Sequence, residues 1–157
     1  MPAVEKIERK HEIEAFLRTE LARKAASLLG EGAAVALHVD GEDFLIRPRR
    51  TEGAVSMGEG EADMHFWVPP ESLRHLLELG RLPGTGLGTM GVAVFERVFH
   101  SDPALKIRFR INSGALSLWA KGYFSVLKAG GPEVASYLAK WGFDSFARIK
   151  EMLQKIR

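Results

Sequence analysis

The most regular short pattern in the chain lies between residues 105 and 111, where apolar and basic side chains alternate. The apolar positions are Leu105, Ile107, Phe109 and Ile111, and the basic positions between them are Lys106, Arg108 and Arg110. A period of two residues predicts a β-strand with one buried face and one face toward solvent. The core of the protein is therefore expected to form around this strand and the segment that follows it.

The segment 114–129 is apolar at most of its positions and carries two charges, Lys121 and Lys128. Such a composition predicts a helix that is buried on nearly every side. Asn112 and Ser113 offer side-chain oxygens for its N-cap, and Gly130 with Gly131 would end it. We expect a core built from this strand and helix to enclose a non-polar ligand in part.

Other helices follow from apolar side chains that recur every three or four residues. The first spans 4–29, in one or two pieces, and the next runs from Pro70 to Gly80. Residues 81–91 contain four glycines and are expected to form a loop, and 92–99 form a further helix. Two C-terminal helices are predicted at 132–141 and from Asp144 onward.

Four more strands are predicted upstream of residue 70, at 33–39, 44–47, 53–57 and 62–68. The Asp40-Gly41 pair between the first two is a hairpin signal. The resulting order predicts an α+β fold, with helices packed over a mainly antiparallel sheet of about five strands. We expect a single domain over 1–157, with a core at about 5–130 and a helical extension at 132–157.

Composition narrows the setting in which the protein works. The chain has no cysteine, which excludes disulfides and cysteine metal sites and fits a cytoplasmic location. Residues 1–6 lack the apolar segment of a signal peptide. Charge is uneven, since residues 1–103 hold 12 Lys+Arg and 17 Asp+Glu while 104–157 hold 10 and 3. The basic C-terminal third is either a solvated face or a surface for anionic partners.

Motifs that would indicate other chemistry are incomplete. Residues 86–91 match the G-x-G-x-x-G string, but a helix precedes them and no acidic residue lies about 20 positions on, so nucleotide binding is disfavoured. The five histidines form no HxH or HxxxH pair, so a metal would require folding to gather His65, His75 and Asp63. No acid–base pair or nucleophile elbow is evident. We expect no catalytic residue, no metal and no cofactor.

Two segments resemble a known family. The run 62–80, ADMHFWVPPESLRHLLELG, is an Ala-Asp-led alternating strand followed by a short leucine-striped helix and a closing glycine. The strand at 105–111 with the apolar helix after it has a similar form. Both resemble sterol carrier protein type 2 domains, although Asn112-Ser113 stands where Gly-Asp is usual in that family. The resemblance implies a five-stranded sheet under helices and a hydrophobic tunnel that binds fatty acids, acyl-CoAs, phospholipids or sterols.

The candidate site follows from combining this resemblance with the apolar pattern. Apolar side chains would line the tunnel: Phe66, Val68, Leu76, Leu77, Phe95, Phe99, Phe109, Ile111, Leu116, Trp119 and Phe124. Arg47, Arg108 and Arg110 would receive a polar head group. The predicted partners are a lipid or acyl-chain ligand and an anionic membrane surface; the sequence leaves the oligomeric state open.

Two other function classes stay open. One is an enzyme or enzyme-accessory module for hydrophobic or CoA-linked substrates, with His65, His75 and Tyr123 as candidate polar groups. The other is an interaction or nucleic-acid module that uses the basic strands. The second is disfavoured because Phe44 and Phe109 have the opposite strand parity from Arg47 and Arg108, which leaves bases little to stack on. The non-enzymatic carrier is the preferred hypothesis.

Overall fold

A computed structural model describes residues 2–50, 54–58 and 60–140. Seven helices and five strands follow one another in that part of the chain. In chain order they are α1 Pro2–Leu17, α2 Glu20–Ser27, β1 Val35–Val39, β2 Glu42–Ile46, β3 Val55–Met57, β4 Met64–Trp67, α3 Pro70–Arg81, α4 Leu87–Val98, β5 Arg108–Ile111, α5 Ala115–Ala120, α6 Tyr123–Ala129 and α7 Gly131–Lys140.

The five strands form one sheet in the order β3-β2-β1-β4-β5. Three neighbouring pairs are antiparallel, and β1 with β4 is parallel. Asp40 (φ 49°) and Gly41 (φ 79°) form the β1–β2 turn, in the left-handed region that a two-residue hairpin needs. The predicted α+β class with a mainly antiparallel sheet of five strands is confirmed.

Strand parity gives the sheet two different faces. On the inner face, Leu37, Phe66 and Phe109 meet the helices around a common apolar interior. On the outer face, His38, Trp67 and Arg108 occupy one row across three adjacent strands. The apolar interior of the described part of the chain therefore lies on the inner side.

The N-terminal helical segment is in two pieces. Thr19 ends the continuity, because its side chain accepts a hydrogen bond from the Ala22 amide and caps α2. The same hydroxyl donates to the Phe16 carbonyl at 2.7 Å, at the end of α1. The two-piece alternative for residues 4–29 is therefore confirmed, and the break turns α2 across the interior beside α1.

The strand and helix at 105–129 differ from the prediction. The strand is shorter and begins at Arg108, because Leu105 and Lys106 fold back in a turn onto the Asp102 carbonyl. Where a single buried helix was predicted, the structure has two short helices, α5 and α6, and α5 is not buried on every side. The break lies at Gly122, whose φ of 86° is left-handed and interrupts the helix.

The glycine-rich segment 81–91 is a loop only in its first part. Gly86 is the N-cap residue of α4, so the later glycines lie inside the helix. A Cβ on Gly88 would stand 2.7 Å from the Gly130 carbonyl oxygen, and one on Gly91 would stand 2.7 Å from Val134. These glycines let α4 approach the start of α7 closely, and the prediction of a loop reaching Gly91 was wrong for that reason.

α7 confirms the first predicted C-terminal helix as far as Lys140. The predicted helix from Asp144 onward lies outside the described residues, as does Trp141. Within the ranges that the structure describes, no helix has the length and apolar character needed to cross a bilayer.

Candidate functional site

An apolar cavity of about 520 Å³ lies between the inner face of the sheet and the helices. Its volume falls within the range of about 300–1,000 Å³ that is usual for small-molecule sites. Each of the seven described helices contributes to its wall, through side chains such as Phe16, Leu76 and Val94. The contribution of α5 is the single side chain of Leu118. Across the described lining, Tyr123 is the one residue with a side-chain oxygen or nitrogen atom, and no charged side chain takes part.

Six of the eleven predicted tunnel residues line this cavity: Phe66, Leu76, Leu77, Phe95, Phe109 and Phe124. They come from β4, α3, α4, β5 and α6, so the fold brings together residues that are far apart in the sequence. Phe66 and Phe109 stack across the β4–β5 pair with ring centroids 5.9 Å apart. Their contact forms part of the sheet-side wall.

The other five predicted tunnel residues lie elsewhere. Val68 and Phe99 pack into the hydrophobic core outside the lining, and Ile111 is buried in a smaller cluster with Leu118. Leu116 and Trp119 face solvent, with 83% and 59% of their surfaces exposed. Their placement corrects the expectation that the helix after β5 is enclosed, because the break at Gly122 leaves one face of α5 uncovered.

The three predicted head-group arginines also lie outside the cavity. Arg108 and Arg110 pair with Trp67 and His65 in the β4–β5 register, which places their side chains on the outer face. Arg47 directly follows β2 and is absent from the cavity lining. No described cation therefore lines the apolar space, and the predicted recognition of a head group by these arginines does not match their placement.

The first and second helices contribute more to the cavity than the sequence interpretation assigned to them. Ile13, Phe16 and Leu17 line it from α1, and Leu21 with four further positions continues the wall from α2 to Leu29. The amphipathic stripe at 4–29 is visible in the sequence, but none of its residues is among the predicted tunnel residues. The alanines that line the cavity from α2 are small and leave space that larger side chains would fill. The sequence does not show this, because it does not say which surfaces α2 faces.

A buried carboxylate joins the wall of the cavity to the sheet. Asp63, 3% exposed, directly precedes β4. Its Oδ1 accepts hydrogen bonds from Ser113 Oγ and Lys121 Nζ, both at 2.6 Å. Its Oδ2 accepts from the Ala34 amide at 3.0 Å and from Tyr123 Oη at 2.7 Å. The carboxylate thus fixes β1, the β5–α5 connection and the α5–α6 junction to one point.

These contacts decide the ionisation of both acids. Burial by itself would raise the pKa of Asp63, but hydrogen bonds from Lys121, Ser113, the Ala34 amide and Tyr123 together hold that pKa below its ordinary value. Burial, and then the hydrogen bond and charge of Asp63, raise the pKa of Tyr123 well above its usual range. Asp63 is therefore ionised and Tyr123 is a neutral donor at neutral pH. Lys121 is the cation that pairs with this buried carboxylate.

The outer face carries a row of rings that the sequence interpretation did not find. His38 Nδ1 lies 2.5 Å from Asp43 Oδ1, and His38 Nε2 lies 2.9 Å from His65 Nδ1. Trp67 stacks on His38 with centroids 5.0 Å apart, and the Arg108 guanidinium lies 6.0 Å from the Trp67 ring. Aromatic rings therefore do share a face with Arg108, contrary to the parity argument, which had considered phenylalanines alone.

The remaining candidates for catalysis or metal binding are dispersed. His75 is exposed on α3, His65 lies on the outer face and Tyr123 donates to Asp63. Among the described residues, no group of three or more histidine, aspartate or glutamate side chains is arranged to hold a metal ion. Of the three polar candidates of the enzyme hypothesis, Tyr123 lines the cavity and the two histidines do not.

Comparison with known proteins finds similarity in structure but no match among family models or curated proteins. No family model matches the chain, and no curated protein matches it. A solved structure described as "UbiJ-SCP2 Ubiquinone synthesis protein" aligns with a TM-score of 0.42 and 14% identity, covering 83% of this chain and 98% of that one. Its description carries the SCP2 name. At this similarity, the ligand and role of that protein say nothing about the ligand or role of this chain.

Proposed function

We propose that the protein binds a hydrophobic ligand in the cavity beneath the sheet and carries it. The observation that carries this proposal is the composition of the cavity wall, whose described side chains are apolar apart from one tyrosine hydroxyl. An apolar space that admits water gains free energy when hydrocarbon replaces the water, at about 25 cal/mol per Å² of apolar surface buried. A lipid chain or a similar apolar group is the ligand class that fits.

The wall also favours a carrier over an enzyme. Tyr123 reaches the cavity, but its hydroxyl proton is donated to Asp63 and its raised pKa keeps it protonated. Acid–base catalysis needs a group whose pKa lies near the working pH and that reaches the substrate. We therefore propose a non-enzymatic role. The ligand's apolar part would be held inside, and any charged head would stay at the solvent side, because burying an unpaired charge is costly.

Extraction of the purified protein followed by mass spectrometry tests the proposal directly. We expect a stoichiometric co-purifying lipid, and displacement of a fluorescent fatty acid or alcohol by added ligand. Ala25→Phe places a ring into the cavity from α2 and should reduce the bound lipid at least about tenfold, since overpacking costs about 1–3 kcal/mol.

Ala15→Phe is the matched control. Ala15 lies on α1 near Ile13 but is exposed and absent from the lining, so its substitution should leave ligand binding unchanged. Clean extracts together with no displaceable probe would contradict the proposed function. Equal loss in both variants would assign the effect to general destabilisation instead of occupation of the cavity.

A further inference from the structure

An exposed apolar patch lies on the outside of the cavity wall. Leu116 and Trp119 are three residues apart on α5 and so share one side of that helix. Their exposures of 83% and 59% are the two highest among the exposed large apolar side chains in the described part of the chain. We call these two residues the α5 patch. Contiguous exposed apolar patches mark interaction sites, whereas apolar side chains exposed singly are ordinary.

The α5 patch is continuous with the cavity wall. Leu118, between the two exposed residues, is 2% exposed and lines the cavity from the opposite side of α5. The Trp119 ring lies 5.7 Å, centroid to centroid, from Phe124, which is also a lining residue. One short helix therefore separates the apolar interior from the exposed patch. A partner at this patch would lie next to the ligand.

The chain segment that contains the patch carries mainly positive charge. The described residues 104–140 contain six Lys+Arg and one acidic residue, Glu133. Lys121 ends α5, with its side chain 34% exposed and its ammonium bonded to Asp63. Arg110 is exposed on β5, the edge strand that leads into α5. Glu31 is an exposed acidic side chain between two glycines that lie against Lys121.

A second exposed leucine adjoins the same region. Leu28 is 37% exposed at the end of α2. Its carbonyl oxygen lies 2.1 Å from where a Cβ on Gly122 would stand, so α2 ends against the α5–α6 junction. Lys24 lies one turn earlier on the same side of α2 and is exposed. Apolar and basic side chains thus occur together at the adjoining C-terminal ends of α2 and α5.

We propose that Leu116 and Trp119 insert into an anionic lipid bilayer and so hold the cavity against the source or destination of its ligand. Tryptophan favours the boundary between hydrocarbon and head groups, and lysine or arginine near an anionic surface adds about 1 kcal/mol each. A bilayer fits better than a protein partner because a ligand suited to this cavity dissolves in membranes. The choice of a bilayer as partner and the transfer role rest on the proposed function, whereas binding to vesicles is measured without reference to bound lipid.

Flotation with lipid vesicles tests the docking. The wild-type protein should bind vesicles of phosphatidylcholine mixed with phosphatidylglycerol, and bind pure phosphatidylcholine more weakly, with salt reducing the difference. Leu116→Ser should lower the partition coefficient several-fold, and the double variant with Trp119→Ser should lower it at least about tenfold. Leu82→Ser is the matched control, since Leu82 is 58% exposed at the end of α3, and it should bind as the wild type does.

Several outcomes would overturn the proposal: no binding to anionic vesicles, equal binding to both lipid mixtures, unchanged binding of the double variant, or an equal loss in Leu82→Ser. A dimer in size-exclusion chromatography that the double variant dissociates, with vesicle binding intact, would assign the patch to a second copy. Leu116→Ser should retain its lipid in extracts, because Leu116 does not line the cavity. Empty extracts with intact vesicle binding would remove the proposed function and leave the docking.

Discussion

The buried carboxylate of Asp63 offers the sharpest test of how this fold is held together. In Asp63→Asn the side chain keeps its shape but loses its charge, and one oxygen becomes an NH₂ donor. Oδ1 accepts from two donors and Oδ2 accepts from two others. Whichever way the amide turns, its NH₂ group therefore faces two donors, and neither orientation restores the network.

The expected loss is about 3 kcal/mol of unfolding free energy. Breaking a buried ion pair on one side typically costs about 3–5 kcal/mol. The 34% exposure of the Lys121 side chain places this pair at the lower end, since solvent can take over part of the ammonium's stabilisation. For a domain of this size the melting temperature should fall by about 6–12 °C.

Urea unfolding at pH 7 measures this loss, with the midpoint lowered and the slope unchanged. Glu61→Gln is the control, because Glu61 is an exposed carboxylate two residues away and should change the stability by less than about 0.5 kcal/mol. The pH dependence follows from the lowered pKa of Asp63. Its contribution is complete above the ordinary value of 3.8 and is lost as pH falls through the lower folded value. The difference between wild type and Asp63→Asn should thus narrow only below about pH 4.

A loss below about 1 kcal/mol, or one no larger than that of Glu61→Gln, would refute the reasoning. Such a result would mean that the buried charge is balanced by its desolvation and that packing alone fixes the α5–α6 junction. A difference that changed between pH 5 and 7 would contradict the assigned direction of the pKa.

Three other comparisons give independent checks. Gly122→Ala should lower the free energy of unfolding in urea by about 3 kcal/mol or more, because its Cβ would stand 2.1 Å from the Leu28 carbonyl oxygen. Gly84→Ala is the control, since Gly84 has a similar φ but lies in open space, and it should cost about 1–2 kcal/mol. Equal losses in the two variants would contradict the steric argument. Tyr123→Phe should lose about 1–2 kcal/mol of stability yet keep its bound lipid, measured by extraction, and loss of the lipid would mean that the hydroxyl contacts the ligand. Arg108→Ala with Arg110→Ala should change lipid affinity less than twofold in probe displacement, and a larger effect would return these arginines to the site.

Much of the fold could be predicted because its signals are local. The Asp40-Gly41 turn, the alternation in β4 and the proline-led start of α3 depend on residues within a few positions of one another. The α4 glycines show the limit of such reasoning. A glycine-rich string is typical of a loop, and only the approach of Gly130 and Val134 explains why these glycines lie in a helix.

The candidate site was predictable in its chemistry and less so in its membership. Apolar periodicity identified residues such as Phe66, Leu76 and Phe124, which face the interior in the structure. It did not separate them from Val68, which is buried in solid core, or from Trp119, which faces solvent. Periodicity predicts which side chains share an apolar face of a helix or strand. Whether that face borders a cavity, solid core or solvent depends on residues elsewhere in the chain.

By itself the sequence determined most of the element types, the α+β class and the apolar character of the interior, because propensity and periodicity act over a few residues. The tertiary structure decided which apolar side chains border empty space, that Arg108 and Arg110 lie across the sheet from it, and that Asp63 takes Lys121 as its partner. The physical reason is distance along the chain. A cavity and a buried ion pair both depend on groups separated by tens of residues, and only the packed fold sets how those groups meet.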